Sequence, residues 1–312
     1  FPSIFLFLAL IIMPFSFWET FFENVFAGNN DFKTFGFIII VDRILLSIIL
    51  ILSFIIYHVN LITIAIIILI NLILQVVSYF IILAKKYGCP NIKTYDMVYL
   101  KKARNFGLRS YVACFLCYLI LRSDLYMLSV MKGMKEVGLY SIATNIVDGL
   151  LILSGSISAI AFPLISANKE QGIYYVKKFT NWVSLSSILF IILTLLLGNY
   201  IIPLIFGNIF QPAIKPLFIL SIAMYFWSLL SIITQFFAAN DYPWNSVWIW
   251  LPGLLTDIVL NYIFIPKYGI IAAAWTSVLA YALTFYLHFI LLQKYGKISI
   301  LEIIIPNIKK RH

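Results

Sequence analysis

The chain alternates between long runs of aliphatic and aromatic residues and short polar breaks. Nine of the runs reach about twenty residues or more, the length at which a helix crosses a ~30 Å hydrocarbon core. We place these spans at approximately 1–22, 36–57, 61–84, 110–131, 139–166, 180–199, 213–238, 246–265 and 270–292. A membrane barrel would instead show strands of period-two alternation, and no such pattern runs along the sequence. The pattern therefore predicts an all-α fold, a polytopic transmembrane helix bundle. Connections are short except for 85–109, "KKYGCPNIKTYDMVYLKKARNFGLR".

Composition agrees. The sequence is 63% hydrophobic and 11% charged, against roughly 45–50% apolar and about 25% charged in soluble domains. The chain opens at Phe1 inside an apolar run, without a basic n-region or a small-residue cleavage site. This favours a fragment over a signal peptide. A weak internal repeat points the same way. "FWETFFENVFAGNNDFKTFGFIIIVDRILL" and "FWSLLSIITQFFAANDYPWNSVWIWLPGLLTDIVLN" share Phe-Trp inside a span, a polar exit with Phe-Ala and Asn-Asp, and then a span carrying an aspartate. About six spans separate the copies. The expectation is two pseudo-symmetric six-helix lobes, with nine spans present of twelve or more. Residues 1–100 would hold the remainder of the first lobe (three spans) and a basic cytoplasmic linker. Residues 101–312 would hold a C-terminal six-helix lobe and a cytoplasmic tail.

Charge sets the orientation. Lys85, Lys86, Lys93, Lys101, Lys102, Arg104 and Arg109 crowd the 85–109 connection, against Asp96. Lys169, Lys177 and Lys178 follow in 167–180, and Lys294, Lys297, Lys309, Lys310 and Arg311 in the tail. The other side holds only Lys132, Lys135 and Lys267, with Lys215 at a span end, where its side chain is expected to snorkel outward. The rich side reads as cytoplasmic. One loop on that side, "AANDYPW", has no base and is placed there by alternation. The formal charge of +10 is thus a consequence of topology, and no nucleic-acid partner is needed to explain it. Cys89, Cys114 and Cys117 are too few and too scattered for a disulfide framework. The Cys-x-x-Cys spacing within an apolar run reads as helix packing.

Seven ionisable side chains fall inside or just within spans: Asp42, Arg43, Arg122, Asp124, Asp148, Asp257 and His288. A charge at mid-bilayer costs roughly 2.5–3.5 kcal/mol on insertion scales. At about 1.5 Å per residue, Arg122, Asp124, Asp148 and Asp257 all lie some 14–21 Å deep, beyond easy snorkelling. They are expected to face a hydrated cavity or each other. Arg122 shares a helix face with Tyr118, Tyr126 and Ser129, whereas Asp124 lies roughly 200° round, with Cys117, Ile120 and Leu128. Asp148 continues a stripe of Ser141 and Asn145, then Gly155. Asp257 sits with Gly253 and Asn261. Asp42 and Arg43 are shallower, and His288 reads as interfacial. For Asp124, Asp148 and Asp257 an interhelical ion pair is the competing structural role. An arginine offers a bidentate fork to phosphate, and tyrosines can stack on sugars.

The sequence has no G-x-x-x-x-G-K-[ST], H-E-x-x-H or G-x-S-x-G motif. It also lacks the large aqueous loop expected of a membrane glycosyltransferase or polymerase. A transporter without cofactor, metal or catalytic residues is the expectation, ahead of a membrane enzyme.

"RSDLYMLSVMKGMKEVGLYSIATNIVDGLLILSGSISAIAFPLIS" resembles the seventh and eighth helices of bacterial polysaccharide (O-antigen-type) flippases. These belong to the multidrug/oligosaccharidyl-lipid/polysaccharide exporter superfamily. The shared pattern falls on Asp124, Val137-Gly138-Leu139-Tyr140 with Ala143, and Pro163-Leu164-Ile165-Ser166. "IPKYGIIAAAWTSVLAYAL", residues 265–283, is similar to the stretch between helices eleven and twelve, with Ile271-Ala272 where the family often has Gly-Ala. "FFENVFAGNNDFK" is similar to the stretch after helix four. The resemblance implies a V-shaped pair of lobes working by alternating access across the bacterial inner membrane. The implied cargo is a lipid-linked oligosaccharide on an undecaprenyl-pyrophosphate-type anchor. Other polysaccharide assembly proteins would be partners, and the basic 85–109 connection would meet the phospholipid surface. Arg122, with Tyr118, Tyr126 and Arg43, would receive the anionic head. Asp124, Asp148, Asp257, Asp42, Asn145 and Asn261 would form a charge network or bind coupling ions. A drug or metabolite antiporter of the same superfamily is the alternative.

Overall fold

The structure, a computed structural model, describes residues 3–29, 31–57, 60–88, 96–296, 298–300 and 303. Cys89, Lys93, Lys297, Lys309, Lys310 and Arg311 lie outside these residues. The described residues form no strand. Their helices are α1 (Ser3–Gly28), α2 (Phe32–Tyr57), α3 (Leu61–Tyr87), α4 (Met97–Met131), α5 (Met134–Ala167), α6 (Gly172–Phe206), α7 (Ile214–Ala239), α8 (Trp244–Trp248), α9 (Trp250–Tyr268) and α10 (Ile270–Gln293). Eight segments, with α8 and α9 counted as one, are long and apolar enough to cross a membrane. The protein is a multi-pass, all-helical membrane protein. Helix α1 carries the first expected span; its apolar run precedes Glu19 and Glu23.

These segments are helical because lipid offers no hydrogen bonds to the backbone, and a helix satisfies every N–H and C=O internally. Their ends follow from backbone geometry. Gly133 (φ 85°) and Gly269 (φ 57°) sit in the left-handed region, which glycine enters without a Cβ penalty. Each lets its helix close on itself, Gly133 N–H donating to Leu128 O (3.2 Å) and Gly269 N–H to Ile265 O (2.9 Å). One expectation is corrected here. The 85–109 connection is not all loop, because Met97–Arg109 continue α4 as helix. The residues 101–106 are exposed, and Lys and Arg are good helix formers.

The chain divides into two compact units, residues 1–96 and 97–312. In the first, α1 packs along α3 through Phe22, Phe26, Tyr79 and Leu83. Helix α2 buries none of its apolar stretch. In the second unit α7 is central and packs against α5, α6 and α10. Helix α9 lies between α10 and α4. Small residues of α10 (Ala273, Ala274, Ser277 and Ala280) are fully buried and let neighbouring backbones approach closely. At Gly253 of α9 an added Cβ would stand 2.0 Å from Thr284 Oγ1 of α10.

The second unit also shows how charge and helix ends are sorted. Arg109, at the basic end of α4, donates to Asp241 O (3.2 Å) and lies over the Trp244 ring, inside "AANDYPW". The start of α6 meets the end of α7 at Gly172 and Phe236, and Ile173 meets Gly296 beyond α10. At the opposite end Lys132 Nζ donates to Pro266 O (2.8 Å). The base-free loop thus shares an end with the basic start of α4, and Lys132 sits at the turn that follows Lys267. Lys215 is exposed.

Candidate functional site

Helix α4 presents its two central charges in different directions, as their spacing requires. Arg122 looks toward α5, where Nη2 donates to Asp148 Oδ2 at 2.9 Å. The two side chains are 33% and 23% exposed. Tyr118 and Tyr126, one turn before and one turn after Arg122, are exposed, and their hydroxyls meet at 3.3 Å. Ser129, the last member of the stripe, spends its hydroxyl on Tyr126 O. Asn145 is exposed one turn before Asp148. A half-open patch on α4 and α5 therefore gathers an arginine, a carboxylate, two phenols and an amide. A guanidinium carries five N–H donors, so pairing with Asp148 leaves others for an oxyanion.

Asp124 and Asp257 do not look onto a hydrated cavity, the first of the two expected settings. They are buried inside the second unit. Asp124 accepts from Tyr140 Oη (2.5 Å), Ser277 Oγ (3.2 Å) and its neighbour Leu125 N–H (2.7 Å). Asp257 accepts from Ser123 Oγ. Asn261, fully buried, contacts Thr276 Oγ1 at 2.5 Å. The cluster joins α4, α5, α9 and α10, with the fully buried Tyr281 nearby. Among the described residues no cation pairs with either carboxylate, so the interhelical ion pair also fails as an account of Asp124 and Asp257. For Asp148 it holds. The described residues contain no grouping of three His, Cys, Asp or Glu side chains suited to a metal. What the cluster offers is a pair of carboxylates among neutral oxygens, a chemistry suited to a proton or a hard cation.

The remaining expected residues lie elsewhere. Arg43, in the first unit, pairs with Glu19 (3.2 Å) and is 57% exposed. Asp42 accepts from Asn71 Nδ2 (3.0 Å), and its Oδ2 is buried without a partner. Glu23 accepts from Tyr79 Oη (3.4 Å), which in turn takes the Gln75 amide (3.2 Å). His288 is corrected from interfacial to core. It is fully buried, between Trp250 and Phe237, with Nδ1 facing Thr284 O (2.9 Å) and Nε2 facing Ser246 O (3.2 Å). Cys114 and Cys117 are free thiols.

Residues that sequence reasoning missed are the hydroxyls of the buried cluster: Ser123, Tyr140, Thr276 and Ser277. The signal was available in part, since Ser123 directly precedes Asp124, and Thr276-Ser277 stand at the centre of an alanine-rich span. No family model, curated protein or solved structure matches this chain.

Proposed function

We propose that this protein is a flippase of the multidrug/oligosaccharidyl-lipid/polysaccharide exporter superfamily. It would carry a lipid-linked oligosaccharide, on an undecaprenyl-pyrophosphate-type anchor, across the bacterial inner membrane by alternating access, for surface polysaccharide assembly. The observation that carries this reading is the placement of Arg122. It is oriented by Asp148, one third exposed, and flanked by two exposed tyrosines. A pyrophosphate leaving water needs a fixed cation to replace its lost hydration, and the phenols suit the first sugar. The sequence resemblance around Asp124 supplies the family, and the helical, multi-pass architecture supplies the setting.

The buried Asp124–Asp257 cluster gives the second element, a site for the coupling ion. This same cluster favours the alternative reading, a cation-driven antiporter for drugs or metabolites, because ion coupling serves both. The partly exposed arginine favours the anionic lipid, since its spare N–H donors suit an oxyanion and not a cationic drug.

The test compares Arg122→Ala with Arg122→Lys in a flippase-deficient strain, with surface glycan as readout. We expect loss with alanine and partial export with lysine. Normal export by the alanine variant at equal protein level rejects the role. Cation-driven dye efflux without glycan export selects the antiporter.

A further inference from the structure

An apolar groove of about 390 Å³ runs between α9 and α10 on the flank of the second unit. Its walls are Leu260, Phe264 and Tyr268 on one helix and Ile271, Trp275 and Leu279 on the other. These are successive turns of two helices joined at Gly269, so the groove is a furrow between two spans and opens sideways. Both helices are membrane-length, and the surroundings of such a furrow are hydrocarbon. The occupant is therefore drawn from lipid.

Two features narrow its chemistry. The first is length. Leu260 to Tyr268 is a rise of eight residue steps, about 12 Å at 1.5 Å per residue. That is less than half of a ~30 Å hydrocarbon core. The groove serves one leaflet and accepts one acyl chain, not a chain that crosses the bilayer. The second is charge. Lys267 lies three residues after Phe264 and next to Tyr268, which sets it beside the end of the groove, outside its walls. Lys267 forms no ion pair among the described residues. The Lys132 ammonium stands 2.8 Å from the carbonyl of Pro266, one residue away. Glu136, near Gly269, offsets one of these charges and leaves the end of the groove positive. Tyr268 and Trp275, both about half or more exposed, are the residue types that sit at headgroup level.

We propose that the α9–α10 groove is a binding site for one anionic glycerophospholipid, an acyl chain lying between Phe264 and Trp275 and its phosphate held by Lys267 and Lys132. The inference is independent of the cargo assigned above.

Purified full-length chain in mild detergent is titrated with phosphatidylglycerol or phosphatidylcholine, and bound lipid is read by native mass spectrometry. We expect a saturable one-to-one adduct that favours phosphatidylglycerol about fivefold, the effect of one lysine near a lipid phosphate. Leu279→Trp, at an exposed wall position, fills the furrow and removes the adduct. Lys267→Glu, at an exposed position that carries no packing, abolishes the preference between the two lipids while the protein stays folded. Equal binding of the two lipids by the unmodified chain overturns the proposal. So does an unchanged adduct in a folded Leu279→Trp variant, or a polyprenyl phosphate found bound in place of the phospholipid.

Discussion

Asn261 and Asp257 stand one helical turn apart on α9, both fully buried, and the Asn261 amide is turned toward the Asp257 carboxylate. Thr276 Oγ1 is within reach of both Asn261 Oδ1 (2.5 Å) and Ala273 O (2.8 Å). One hydroxyl proton serves one acceptor. Given to Asn261 Oδ1, it leaves the amide N–H for Asp257. Asp257 then has a hydroxyl and an amide for partners and no cation among the described residues, and a carboxylate in a dry interior calls for a proton or a cation.

The first prediction follows from that pair. Sodium ions raise the thermal midpoint of the purified protein relative to choline at equal ionic strength. At a hundredfold excess over the dissociation constant the stabilisation is about 2.7 kcal/mol. Asp257→Asn removes the difference between the two salts, whatever it does to the midpoint itself. Equal midpoints in sodium and choline, together with a midpoint that does not change with pH, would leave the cluster as packing alone.

Arg122 and Asp148 support a second prediction, because the carboxylate cancels part of the charge that a phosphate on the remaining guanidinium donors would meet. Asp148→Asn removes that cancellation. The variant binds the anionic head more tightly and releases it more slowly, so glycan export falls while cargo co-purifies in greater amount. Both side chains keep a partly exposed surface, 33% and 23%, and the asparagine amide can still accept from Arg122, so protein level should hold. Reversing the pair, Arg122→Asp with Asp148→Arg, restores the contact but displaces the cation to α5. Full export by the reversed pair would show that only the contact matters.

The helices were legible in the sequence because lipid enforces them. Apolar runs of twenty residues have few alternatives, and helical spacing alone separated Arg122 from Asp124. Partners were not legible. Nothing in "LCYLILRSDLYMLSV" says that Asp124 meets Tyr140 and Ser277, since those hydroxyls arrive from α5 and α10 through tertiary packing. His288 was misread for the same reason. Its distance from the span end suggested an interface, but Ser246 of α8 and Trp250 at the start of α9 cover it. The basic start of α4 was misread because a run of Lys and Arg looks like a loop, although those residues favour helix when solvated.

A third prediction concerns the α9–α10 contact that shapes the buried cluster. Gly253→Ala places a methyl 2.0 Å from Thr284 Oγ1 and 3.3 Å from Thr284 Cβ. The hydroxyl is held by Ala280 O at 2.7 Å, so it has little room to yield. Overpacking of this kind costs about 1–3 kcal/mol. Adding Thr284→Ala removes the clashing oxygen and should recover part of the loss. Thermal midpoints of the single and double variants, measured in one detergent, check this. A Gly253→Ala midpoint equal to the original would mean the helices part without cost.

The last prediction lies outside the spans, at the α1–α2 connection. Asp31 accepts from Lys86 Nζ, from Tyr87 Oη (3.2 Å) and from Thr34 Oγ1 (2.9 Å), which ties the start of α2 to the end of α3. The Lys86 ammonium, foremost, holds the Asp31 carboxyl below its ordinary value. A carboxylate whose folded value is lowered adds stability that is fully present above its unfolded value, about 3.9. That stability is lost as pH falls through the lower, folded value. Asp31→Asn should therefore melt earlier than the original protein at pH 7 and at pH 5, with the gap between them unchanged. Below about pH 4 the gap should close, because the original protein loses the same charge. A gap that persists undiminished at pH 2.5 would assign the effect of the substitution to helix capping through Thr34, and not to the ion pair with Lys86.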